Sequence, residues 1–308
     1  MSEGIALHEL VLNTSDEPVD YRILEVNLAF ESILGIPRSD AVGALASDLY
    51  GSRDAPFLET YAQVAATGEP ITFEEFFPPL DRYFLISVFS PGKGQFATVF
   101  TDVTMQRRSE EALKRSLEET IQAIAWIIEK RDPYTAGHQR RVAQLSEAIG
   151  RALGLPKSQL DGMRAAATLH DIGKITVPAD ILSKPSALSK MEFDLLKGHA
   201  KTAYDVLQTI EFPWPVAEIV YQHHERMDGS GYPQGLEGDD ILLEARIIGV
   251  ADVVEAMSSH RPYRPALGLD AALVEIQTNR GSLFDEDVVD ACLRLVNDGT
   301  FEFEAEDS

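Results

Sequence analysis

His170 and Asp171 are adjacent in TLHDIGKITVP, residues 168–178, and Lys174 follows within one helical turn. A neutral imidazole offers a borderline nitrogen donor and a carboxylate a hard oxygen that can bridge two cations, so the pair suits Fe, Mn or Zn. On a helix, spacings of i+4 and i+3 bring the Lys174 ammonium to the same face. A metal beside a fixed cation is the chemistry of a phosphate site. A lone histidine in an apolar segment is more often a hydrogen-bonded core residue, so this reading requires other ligands to converge on the pair.

Candidates are at hand. The chain has seven histidines: His8, His138, His170, His199, His223, His224 and His260. Five of them lie in helix-like runs punctuated by Gly or Pro. His138 opens HQRRVAQLSEAIGRAL, His199 lies in MEFDLLKGHAKTAYDVL, and His223 and His224 close AEIVYQHHE, while Asp252 lies in ARIIGVADVVEAM. This order, H…HD…H…HH…D, resembles the HD superfamily of metal-dependent phosphohydrolases. The segment HHERMDGSGYPQGLEG (223–238) resembles the signature loop of its HD-GYP subfamily, with Gly231, Tyr232 and Pro233 as the naming tripeptide. KPSALSKMEF (184–193), EARIIGVADVVEAM (244–257), RPYRPA (261–266) and GSLFDEDVV (281–289) extend the resemblance over about residues 118–296.

The resemblance implies seven ligand side chains for two divalent ions. One ion would use His138, His170, Asp171 and Asp252, the other Asp171, His199, His223 and His224, with Asp171 as the shared catalytic bridge. Some HD-GYP proteins place a third-metal Glu four residues before the first histidine; here that residue is Tyr134, which favours two metals. Ligands of mixed nitrogen and oxygen type, with no thiolate, make Fe or Mn the first choice. The implied reaction is hydrolysis of the bacterial second messenger cyclic di-GMP to linear pGpG, with further conversion to GMP left open, by hydroxide formed at the metal pair. Lys174 becomes the phosphate clamp or leaving-group contact. Gly231, Tyr232 and Pro233 become substrate contacts on a loop whose glycines allow close approach. Arg261, Tyr263 and Arg264 would meet the second phosphate or stack on guanine. Glu255 and His260 stand where the family commonly has Asp, and Ala203 where it has Gly; none is a ligand position. Two alternatives remain: a scaffold that binds a cyclic dinucleotide or a diguanylate cyclase partner without hydrolysis, and a phosphodiesterase for a related cyclic dinucleotide.

The 308 residues are enough for two cores. Residues 1–104 read as an α+β sensor-type order: strands in ALHELVLN and VDYRILEVN, a short helix in AFESILGI, a longer one in FLETYAQVAATGE, then strands in ITFEEFFP, YFLISVFSP and QFATVFTDV. This stretch resembles a PAS domain at Val26–Phe30 and at Phe100–Thr104. Its ligand is unknown. With no cysteine there, a flavin-cysteinyl adduct is excluded, and His8 is judged a poor haem ligand from its place near the chain start. Residues 105–130 form a connecting helix with Leu113, Leu117, Ile121, Ile124 and Ile128 in one stripe, a pattern suited to a parallel homodimer. The remainder, a domain taken as 118–308, is expected to be an all-α bundle to Asn297 with loops at 132–137, 176–189 and 226–240.

Charge and composition narrow the partners. Residues 1–105 carry 5 Lys and Arg against 16 Asp and Glu, and residues 106–308 carry 22 against 34. Neither half suits duplex nucleic acid or an anionic membrane. The single Cys292 excludes an internal disulfide. No run of 18 apolar residues and no basic leader is present, so a cytoplasmic protein is expected.

Overall fold

The structure is a computed structural model that describes residues 3–131, 137–259 and 267–303. The chain divides into two compact units, Met1–Arg115 and Ser116–Ser308.

The first unit is a five-stranded antiparallel sheet built from β1 (Gly4–Leu12), β2 (Pro18–Val26), β3 (Ile71–Phe77), β4 (Arg82–Gly92) and β5 (Gln95–Asp102) in the order β2-β1-β5-β4-β3. Alternation along β4 sends Phe84, Ile86 and Val88 inward, as the period of a half-buried strand requires. Helices α1 (Leu28–Leu34), α2 (Arg38–Ala41), α3 (Ala46–Tyr50) and α4 (Leu58–Thr67) follow β2. Asn27 joins helix to sheet: its Oδ1 accepts from the Phe30 amide as the α1 cap and from the Ile5 amide of β1. The strands, α1 and α4 agree with the sequence reading. Helices α2 and α3 were not foreseen, because four or five residues are too few to display a helical period.

His8 corrects one expectation. Although near the chain start, it lies on a central strand and is buried, stacked on Phe96, with Nε2 at 3.0 Å from Thr98 Oγ1. It lines a cavity of ≈ 50 Å³ shared with Tyr21, Tyr50 and Tyr61. What argues against a porphyrin is this small volume, not the residue's place in the chain. Burial pushes the imidazole down to about 3, so the folded unit refuses a proton that the unfolded chain takes up below about 6.5. Stability from this group is complete above pH 6.5 and is lost as pH falls from there toward 3. The expected slope approaches ~1.4 kcal/mol per pH unit. His8→Gln should flatten it, read by urea midpoints of the sheet's amide exchange at pH 5 and pH 7.

Helix α5 (Thr104–Arg131) has no Gly or Pro and runs without a break. Its apolar stripe divides. Ile121 and Ile128 are buried, and Ile124 packs on the helical core, whereas Leu113 is 73% exposed and Leu117 37%. Beyond it come α6 (His138–Ala152), α7 (Lys157–Leu169), α8 (Ala179–Leu182), α9 (Lys190–Leu207), α10 (Val216–Gln222), α11 (Leu243–Ser258), α12 (Leu269–Thr278) and α13 (Glu286–Asn297). Their shared core includes Val142, Leu145, Met163, Leu207, Ile219, Ile247, Ile248, Ile276 and Val288. Two expectations are corrected here. Residues 176–189 contain α8, and the segment after α7 winds into a 3₁₀ turn at Ile172–Thr176 rather than continuing as α-helix. Ser189 starts α9 with a full capping box, its Oγ accepting from the Glu192 amide while Glu192 accepts from the Ser189 amide.

Candidate metal centre

Helices deliver the ligand-type side chains to one buried point. His138 is the first residue of α6, His170 caps the C-terminus of α7, Asp171 opens the 3₁₀ turn, His199 lies in α9, His223 caps the C-terminus of α10 with His224 next to it, and Asp252 lies in α11. The rings form a chain: centroids are 5.3 Å apart for His138 and His170, 5.1 Å for His170 and His223, and 5.1 Å for His199 and His224. Three groups place their donor atoms within 4.8 Å of one another: His138 with His170 and Asp252; His199 with His223 and His224; and His170 with Asp171 and His223.

The hydrogen bonds decide which nitrogen faces inward. His170, His199 and His223 each donate Nδ1–H to the carbonyl three residues earlier, those of Ala167, Leu196 and Val220, at 2.7, 2.7 and 2.6 Å. This fixes the Nε2 lone pair toward the centre. Those three Nε2 atoms are buried without a hydrogen-bond partner among the described residues. Orphaned acceptors in a buried polar site are costly unless something fills them, and a cation does. Asp171 stands between the two halves: its Oδ2 lies 3.5 Å from His170 Nε2 and 3.8 Å from His138 Nε2, its Oδ1 3.7 Å from His199 Nε2. The donor set fits divalent metals.

Electrostatics reinforce this. Burial works against a charge on Asp171, but Lys174 and three histidines prevail and hold its carboxyl well below the usual range. Burial lowers the His199 imidazole, pushes that of His223 down to about 3, and holds His224 well below its ordinary value, so these rings stay neutral and ready to donate a lone pair. Lys174 reaches Asp171 Oδ2 at 2.6 Å from the 3₁₀ turn, which corrects the α-helical placement but keeps the cation beside the carboxylate.

The 223–238 loop lies over this point. The Tyr232 ring is 4.6 Å from that of His224, and Lys197 Nζ is 5.1 Å above the Tyr232 ring. Pro233 is exposed on the loop. Gly231 must be glycine: a Cβ there would meet the Glu225 and Arg226 backbone at 2.4 Å. The sequence assigns no role to Glu225 or to Glu255. Buried Glu225 accepts from the Gln234 and Leu236 amides at 2.7 and 3.1 Å, tying the loop to the end of α10. Buried Glu255 accepts from His138 Nδ1 and, at 2.8 Å, from Arg141 Nε. Their signals in the sequence are position: Glu225 comes one residue after His224, and Glu255 three after Asp252, where the family commonly has Asp. Glu255, which the sequence shows only as that departure, thus contacts a candidate ligand residue directly. Arg261, Tyr263, Arg264, His260 and Tyr134 lie outside the described residues.

Losing a charged acceptor for two amides costs about 2 kcal/mol. Glu225→Ala should therefore loosen the loop. The expected result is faster amide exchange at Gln234 and Leu236, with metal content unchanged.

Histidines and Asp252 converging from separate helices on the Asp171 carboxylate, in groups that could hold a metal, define a helical protein of the HD type, preceded by a PAS-like sheet. The chain belongs to the HD-domain family, whose model matches residues 122–288; a PAS-fold model matches residues 19–108. Among curated relatives, the cyclic di-GMP phosphodiesterase response regulator RpfG of Xanthomonas campestris pv. campestris is 43% identical over 178 residues, 57% of this chain and 47% of that protein. The 3'3'-cGAMP-specific phosphodiesterase 3 of Vibrio cholerae is 38% identical over 59% of this chain and 39% of its own length. A cyclic di-GMP phosphodiesterase of Thermotoga maritima is 39% identical over 58% and 49%. The chain thus matches half or less of the length of these relatives. Among the described residues no helix is long and apolar enough to cross a membrane.

Proposed function

We propose that this chain is a metal-dependent phosphodiesterase that opens cyclic di-GMP to linear pGpG. The observation that carries the reading is the set of buried Nε2 atoms around Asp171 that have no hydrogen-bond partner among the described residues, with the two Asp171 oxygens facing opposite halves of the site. Family membership and the activities named for the relatives support the same reaction class. His138, His170, Asp171 and Asp252 would hold one ion, and Asp171, His199, His223 and His224 a second, with Fe or Mn suited to this donor set. Such ions, when bound, supply Lewis acidity and bring the pKa of water toward neutrality.

The chain's own residues bind and orient. Lys174 keeps Asp171 ionised and sets a positive charge where a phosphodiester would approach. Tyr232 offers an aromatic face beside His224 on which a guanine can stack, with the Lys197 ammonium on the same ring. Arg261, Tyr263 and Arg264 are assigned to the second phosphate and base. The PAS-like unit is assigned control of turnover, a homodimer through that unit and α5 its assembly, and a diguanylate cyclase a candidate partner.

One relative is named for 3'3'-cGAMP, so the mixed dinucleotide is a second reading. Protein purified without oxygen and loaded with Fe(II) or Mn(II) is incubated with each dinucleotide, and linear products are separated by chromatography. Faster consumption of cyclic di-GMP supports the first reading and faster consumption of the mixed species the second. Tight binding without product, in protein shown to carry metal, overturns both in favour of a scaffold.

A further inference from the structure

Three of the inward-facing histidines obtain their orientation cheaply. His170, His199 and His223 stand late enough in their chain segments that the carbonyl three residues before each accepts from Nδ1. His138 is held differently. It is the first residue of α6, and its Nδ1 faces a carboxylate on another helix. Glu255, 117 residues away on α11, supplies the acceptor instead. That carboxylate is itself fixed on its other oxygen by Arg141 Nε at 2.8 Å, Arg141 Nη2 at 2.6 Å and Ser259 Oγ at 2.7 Å.

The arrangement is directional. Arg141 lies one turn after His138 on α6, and Asp252 lies one turn before Glu255 on α11. Two side chains from each helix therefore interlock, and His138 Nε2 is set 3.2 Å from Asp252 Oδ1. A carboxylate acceptor also makes the donating imidazole a stronger base than a carbonyl does. The three other bonds are to carbonyls, so this effect falls on one half of the site only.

We infer that Glu255 is a positioning residue for the metal centre: it fixes the ring and raises the basicity of His138, and so sets the affinity of the His138, His170 and Asp252 half while leaving the His199, His223 and His224 half alone. This rests on reading the cluster as a two-metal site.

The test is a competition titration of the full chain with Mn(II) or Zn(II) against a chromogenic chelator, beside thermal unfolding of the metal-free protein. Wild type is expected to bind two equivalents. In Glu255→Gln, which keeps the shape and an acceptor oxygen but not the charge, one equivalent should weaken about 10- to 100-fold and the other keep its affinity. Glu255→Ala should weaken the same equivalent further, and Glu255→Asp should recover part of the loss. Wild-type affinity for both equivalents in Glu255→Gln overturns the inference, as does equal weakening of both, which marks a general structural role. A wild-type protein that binds no metal instead overturns the two-metal reading itself.

Discussion

Asp171→Asn should lower turnover of the cyclic dinucleotide by about 10³-fold or more, and should release metal from both halves of the site. The substitution is almost isosteric, so it tests charge rather than shape. Asp171 has an oxygen toward each half: Oδ2 faces His170 and His138, and Oδ1 faces His199. An amide presents only one oxygen, and its nitrogen would point a donor at a ring nitrogen that must accept a metal. The fold should survive, because Lys174 keeps an oxygen acceptor and the backbone bond from the Lys174 amide to the Asp171 carbonyl is unaffected. Elemental analysis and a product assay on the same sample distinguish the outcomes. His170→Ala should behave likewise, since it removes an inward nitrogen shared by two of the ligand groups. Retained metal and turnover in both variants would falsify the proposed centre.

Much of this site could be read in advance because ligand chemistry limits residue types. Imidazoles and carboxylates in helix-like runs stand out when a chain has only seven histidines. The strands of the first unit were legible for a similar reason: alternation and turn residues report burial directly. What escaped notice depends on partners far away in sequence. Glu255 looks like one more acidic residue on a helix until its partner His138 is found on α6. Glu225 looks like a surface charge until the loop closes back onto it. The stripe on α5 is uniform in the sequence, yet only its C-terminal part meets the helical core, because a period says which face is apolar and not how far a neighbour extends. The turn after α7 is not legible because the one glycine in IGKIT, Gly173, does not by itself separate a 3₁₀ from an α conformation.

That turn carries the second large effect. Gly173→Ala should destabilise the helical unit by about 3 kcal/mol, at the upper end of the cost of overpacking a core. A Cβ on Gly173 would lie 1.9 Å from the His199 carbonyl oxygen and 2.7 Å from the Ala203 nitrogen. Both obstacles are backbone of α9, so no side chain can swing aside. Relief requires the turn and the helix to part, and the turn carries Asp171 and Lys174 while the helix carries His199. Metal affinity should therefore fall together with stability. Gly198→Ala is the internal control. It lies beside His199 on the same helix, is exposed, and has open space where the Cβ would go. Removing a helical glycine there should stabilise the unit by up to about 1 kcal/mol. Urea midpoints of the two metal-free variants should therefore move in opposite directions from wild type. A Gly173→Ala protein with unchanged midpoint and metal content would mean that the turn does not pack on α9 as described.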